Sequence, residues 1–232
     1  MARDRWGFDA ENQFFASRGY LVLQVNYRGS SGYGAAFQKA GLRARLDTVV
    51  LDDIADGVRY LIDQKEADPA RVVVMGASFG GWATYMSLIK YPELYRAGIA
   101  ISAVSNWRKF IHDDHWEFNN RIAYTFWQSL LSRENFGEDE KFIDPYVRAA
   151  EIKQPICIIH GGYDTTVSPA EAQMMLDALK AHNPNVESHD FPFASHTYWS
   201  FDDRVIRLNE IARFLDRYVG KTPAATRVTT VP

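Results

Sequence analysis

Gly76-Ala77-Ser78-Phe79-Gly80 stands between Arg71 to Met75 (RVVVM), short and β-branched enough for a buried strand, and Gly80 to Lys90, whose helical pattern is ended by the Tyr91-Pro92 pair. Strand, sharp turn and helix is the context in which a G-x-S-x-G pentapeptide presents its serine as a nucleophile. So tight a turn should leave no room for side chains two residues before and two after the serine, and Ser78 should be strained with its hydroxyl exposed. The helix then aims its positive end at the reacting carbonyl. Alone, the pentapeptide is a weak signal in a chain with 15 glycines; its placement gives it weight.

Working outward, short apolar runs alternate with helical patterns. Strands are predicted over Tyr20 to Asn26 (YLVLQVN), Ala97 to Val104, Pro155 to Ile159 and Val186 to Phe191, with a glycine-rich loop over Arg28 to Gly34. Helices are predicted over Thr48 to Gln64, with Asp52, Asp53 and Asp56 near its start, over Pro169 to His182 capped by Ser168, and over Thr197 to Val219 ending at Gly220. Trp107 to Arg148 is an aromatic, mixed helical stretch. This alternation predicts an α/β fold: a mostly parallel sheet with helices on both faces, in one domain over 1–220, followed by an unpacked tail over 221–232.

The composition fits a single globular core. Of 232 residues, 47% are hydrophobic and 24% charged, and the net charge of −3 offers no positive field for nucleic acid or an anionic membrane. One cysteine, Cys157, excludes an internal disulfide and reads as a buried, inert thiol. No run of about 18 apolar residues suggests a membrane span, and Met1 to Trp6 is charged, so a cytoplasmic location is expected.

A serine hydroxyl needs a base, and the base a carboxylate to orient it. Open α/β sheets build sites at the carboxyl ends of their strands, and in the nucleophile-elbow arrangement the chain order is serine, acid, histidine. Asp164 leaves the fourth predicted strand in His160-Gly161-Gly162-Tyr163-Asp164, and His196 follows the fifth, just before the last helix. Either could be an ordinary turn or helix-start residue; both in order after successive strands point to a catalytic pair. His160 is expected to make a structural hydrogen bond. His112 and His115 with Asp113 and Asp114 lack further ligands for a metal, and His182 and His189 are expected at the surface or an edge. Asp52, Asp53 and Asp56 read as a solvated helix start. Trp107, Phe110, Trp116, Phe118, Tyr124, Phe126 and Trp127 read mainly as core, some of them walling a substrate pocket. Nothing points to a cofactor or metal.

Phe15-Ala16-Ser17-Arg18-Gly19-Tyr20, running into Val25-Asn26-Tyr27-Arg28-Gly29-Ser30-Ser31-Gly32-Tyr33-Gly34, then GASFGG, then HGGYDTTV, resembles the catalytic domain of the prolyl oligopeptidase family of serine peptidases, nearest its acylaminoacyl-peptidase and dipeptidyl-peptidase branches. The resemblance covers roughly residues 8 to 219. It implies an α/β-hydrolase fold, Ser78 as nucleophile, His196 as base, Asp164 orienting it, and the Phe79 N–H as one oxyanion donor. It also implies a substrate pocket at Val167 and Thr166, the latter where some relatives carry asparagine; Trp107 and Tyr124 are the aromatic candidates for its wall. Two departures stand out. These residues are expected to lack the N-terminal β-propeller that such relatives carry, and also the strand and loop before Met1 that the resemblance implies for the second oxyanion donor. In this fold that strand lies between those matching Tyr20 to Asn26 and Arg71 to Met75. Its absence should leave a central slot, unless the two strands close on each other or another chain fills it. The primary expectation is a serine peptidase acting on short peptides; the alternatives are a carboxylesterase and a catalytically weak or inactive fragment serving as an interaction domain. Oligomeric state is not readable from these residues.

Overall fold

The computed structural model describes residues 3–4, 6–43, 46–116, 121–130 and 143–220. Four strands, β1 (Val73–Ala77), β2 (Ala97–Ile101), β3 (Ile156–Gly161) and β4 (Val186–Phe191), form one parallel sheet in the order β1-β2-β3-β4. The helices are α1 (Ala10–Ser17), α2 (Ala35–Arg43), α3 (Leu46–Asp63), α4 (Phe79–Lys90), α5 (Trp107–Trp116), α6 (Arg121–Leu130), α7 (Pro169–Lys180) and α8 (Phe201–Tyr218). Every residue of β2 and β3 is buried, as befits parallel strands covered on both faces. Alternation divides them: Ala100, Ile156 and Ile158 join the cluster under α3, α4 and α7, while Ala97, Ile99, Ile101, Cys157 and Ile159 join Phe15, Ile211, Phe214 and Leu215 of α1 and α8 on the other face. Burial pushes the Cys157 thiol far up, which fits its reading as inert.

The strand predicted over Tyr20 to Asn26 does not form. The segment carries no ladder bonds, and Leu21, Val22 and Leu23 are exposed. A strand exists only with a paired neighbour, and among the described residues no strand pairs with it. It faces the free edge of β1 across a cavity of about 510 Å³ lined by Leu21, Leu23, Val25, Val73, Met75 and Gly80. The expected slot is therefore open, and the flanking segments have not closed over it. Met75 stays 38% exposed at its rim.

Smaller differences have local causes. The last helix begins at Phe201 rather than Thr197 because Ser200 caps it, accepting from the Asp203 N–H at 3.1 Å. α3 begins at Leu46, so Asp52 and Asp53 lie beyond its first turn and are not merely solvated: Asp52 pairs with Lys90 and Tyr91, and Asp53 receives the Arg28 N–H at 2.7 Å and its guanidinium at 2.6 Å. Asp53 thus ties the glycine-rich loop to the helix. Phe118 and the 221–232 tail lie outside the described residues, as do the side chains of Asp114, His115, Trp116 and Phe126. No helix among the described residues is long and apolar enough to cross a membrane.

Candidate active site

β1 delivers the chain to Ser78, which sits at φ 57° and ψ −119°, a conformation a non-glycine residue adopts only under constraint. The constraint is visible: the Ser78 N–H donates to the Ile101 carbonyl at 2.8 Å, and the Trp82 N–H donates to the Ser78 carbonyl at 3.1 Å, opening α4. A Cβ on Gly76 would lie 2.3 Å from the Gly80 oxygen, so glycine is required there. At Gly80 the steric expectation fails, since a Cβ would meet nothing within 4 Å. The crowding is one-sided: a Cβ on Gly76 would run into the first turn of α4, while Gly80 lines the open cavity beside β1. Ser78 Oγ makes no capping bond to its own helix.

The acid and the histidine arrive on adjacent strand ends. Beyond β3 and β4 the two loops are stitched by backbone bonds, the Gly162 N–H donating to Phe191 O at 2.8 Å and the Tyr163 N–H to Ala194 O at 2.9 Å. Gly161 and Gly162 permit this approach, because a Cβ on either would come within 2.6 Å of the facing backbone. Asp164 is buried. Its Oδ1 accepts from the N–H of Thr166 at 2.9 Å and of Val167 at 2.8 Å, and its Oδ2 meets His196 Nδ1 at 2.7 Å. Burial pushes the Asp164 carboxyl up, but the His196 bond and the two N–H donors outweigh it and hold the group below its ordinary value. His196 is half-buried in a loop anchored by the Ser195 and Tyr198 backbones. Among the described residues no hydrogen bond joins it to Ser78, a link that often tightens only when substrate is present.

His160 is buried, with Nε2 3.0 Å from the Val167 carbonyl and 3.6 Å from Asp164 Oδ2, and burial lowers its pKa. It braces the acid loop, in keeping with its structural reading. Of the named pocket residues, Val167 and Trp107 are buried in one cluster, Thr166 is half-exposed behind Asp164, and Tyr124 is half-exposed on α6. The rings beside the serine are a set that residue spacing does not reveal. Phe79 stacks on Trp127 at 6.1 Å and 20°, with Trp82 at 5.0 Å, Tyr27 at 6.1 Å and Trp107 at 6.5 Å, and Phe110 packs on Trp107 at 5.6 Å. Phe79, Trp82 and Tyr27 were hidden from the sequence because only the fold brings them to the aromatic stretch. Lys109 holds Asp113 at 2.6 Å, and the described residues contain no group of three or more potential metal ligands.

The model of the prolyl oligopeptidase family matches residues 6–222. Dipeptidyl aminopeptidase BIII of Pseudoxanthomonas mexicana is 32% identical over 205 residues, covering 85% of this chain and 29% of that protein. Among solved structures, a Mycobacterium tuberculosis puromycin-hydrolyzing peptidase superposes with a TM-score of 0.83 at 25% identity over 94% of this chain and 32% of that one. The Pyrococcus horikoshii acylaminoacyl peptidase superposes at 0.80 with 26% identity, covering 95% of this chain and 36% of that one. The chain thus spans about a third of the length of these relatives.

Proposed function

Since the chain belongs to the prolyl oligopeptidase family, we propose that it is the catalytic unit of a serine peptidase that cleaves short peptides through an acyl-enzyme on Ser78. The observation that carries this reading is the 2.7 Å contact between His196 Nδ1 and an Asp164 carboxylate already fixed by two backbone N–H groups. With Nδ1 protonated and bonded to Asp164, Nε2 is the free acceptor. It takes the Ser78 proton as Oγ attacks the scissile carbonyl and returns it to the leaving amine; water then repeats the attack on the ester. Asp164 remains ionised throughout, as its lowered pKa favours. The Phe79 N–H at the start of α4 faces the developing oxyanion.

The family resemblance implies a second oxyanion donor beside the Phe79 N–H, carried by the strand and loop upstream of the segment matching Tyr20 to Asn26. Loss of one such donor would cost roughly 10² to 10³ in kcat. In this reading Thr166 and Tyr124, both half-exposed, meet an apolar substrate side chain, with Val167 and Trp107 buried behind them. Rates on p-nitrophenyl acetate and on aminoacyl anilides test the reading together. Hydrolysis of both supports a peptidase; ester hydrolysis alone makes the chain a carboxylesterase, and neither makes it an inactive domain.

A further inference from the structure

Glu171 belongs to none of the roles above, yet it is fully buried on α7, four residues after Val167. Its Oε2 accepts three hydrogen bonds from the loop that leaves β2: the Ser105 N–H at 2.8 Å, the Ser105 hydroxyl at 2.7 Å and the Asn106 N–H at 2.8 Å. Its Oε1 is buried with no donor among the described residues. A group that only filled space would not concentrate three donors on one oxygen while leaving the other bare; that asymmetry suits a carboxylate that grips one loop. The gripped loop launches α5, whose Trp107 and Phe110 join Val167 in one apolar cluster.

We infer that Glu171 is a positioning residue that shapes the proposed side-chain pocket from behind, holding the Ser105 to Asn106 turn, and with it the buried Trp107 and Phe110, packed against Val167. What the pocket receives rests on the peptidase reading above; the packing itself does not.

The charged and titratable groups facing Glu171 are few. Lys109 of α5 attracts it while engaged with Asp113, Tyr85 of α4 is buried near it, and Asp144 holds the adjoining Trp107 N–H at 2.8 Å. Burial pushes the carboxyl up to about 7, against the pull of the Ser105 and Asn106 donors and Lys109. Near neutrality it therefore passes between a charged form that grips the turn with charge-assisted bonds and a neutral form that grips it less.

The test uses the full chain with fluorinated tryptophan, one of six tryptophans being assigned to Trp107 through Trp107→Phe. The expected result is a Trp107 fluorine resonance that moves with pH around 7, and that in Glu171→Gln is displaced and no longer titrates. The same resonance in both proteins, or a titration that survives in the variant, overturns the inference. In the kinetic arm Glu171→Gln lowers the preference for phenylalanyl over alanyl anilide about tenfold, through KM for the larger substrate. Equal losses on both substrates would mean a purely structural role and overturn it too. Should wild-type Ser78 take no fluorophosphonate, the peptidase reading fails while the resonance still decides the role of Glu171. If Glu171→Gln does not fold, Ser105→Ala removes one donor and keeps the carboxylate. The Trp107 titration should then move to higher pH, and an unmoved midpoint overturns the inference.

Discussion

Asp164 and Glu171 are two buried carboxyls seven residues apart that burial alone would treat alike, and their donors separate them. Asp164 gains His196 and two N–H groups on different oxygens and falls below its ordinary value; Glu171 concentrates its donors on one oxygen and rises to about 7. The signs of their linkage to stability are opposite. Because the folded pKa of Asp164 is depressed, its contribution is present above the unfolded value of about 3.9 and is lost as pH falls through the folded one. Asp164→Asn is therefore expected to melt below wild type at pH 7, with the gap shrinking under acid below about pH 4. Melting temperatures across pH 2 to 8 check this, and a gap independent of pH would contradict it. For Glu171 the raised folded pKa means that stability declines as pH rises from about 4.3 toward 7, so Glu171→Gln should gain on wild type over that window. In catalysis, His196→Ala and Asp164→Asn should each lower kcat by roughly 10⁴, and the double variant should lose little more, because the residues act as one unit. Additive losses measured on a peptide anilide would separate them.

At the scale of elements, the strand-to-helix turn was legible because its chemistry is local: five residues between an apolar run and a helical run carry the whole signal. Even so, the reading was half right in its sterics. Gly76→Ala should destabilise by about 1 to 3 kcal/mol through collision with the Gly80 backbone, whereas Gly80→Ala meets nothing within 4 Å and should melt within a few degrees of wild type. Denaturant unfolding of the two variants distinguishes them, and equal destabilisation would mean the turn is crowded on both sides after all. The strands β1 to β3 were legible for the same reason, their residues being mostly apolar, whereas β4 (VESHDF) is only partly buried and was legible from its place between a helix and the His196 loop. Tyr20 to Asn26 is also largely apolar, but pairing is not a local property, and among the described residues no neighbour completes the ladder. Ser105, Asn106 and Glu171 were invisible for a related reason: their bonds join positions 65 and 66 residues apart, and nothing in either stretch announces the other.

For the whole molecule the open slot beside β1 is the dominant feature. Among the described residues no ladder bonds run along Leu21 to Asn26 or the outer edge of β1, and an unsatisfied peptide group costs about 1 to 3 kcal/mol once shielded from water. A longer chain that supplies an upstream strand between them is expected to melt higher and, if that strand brings the second oxyanion donor, to turn over roughly 10² to 10³ times faster. Equal melting temperature and equal turnover in the two chains would mean that the slot has no structural role. The account as a whole depends on one side chain. Treating the chain with a fluorophosphonate and mapping the adduct by peptide mass spectrometry should place it on Ser78, with His196→Ala reacting far more slowly and Ser78→Ala not at all. Labelling that persists in Ser78→Ala would contradict the central claim.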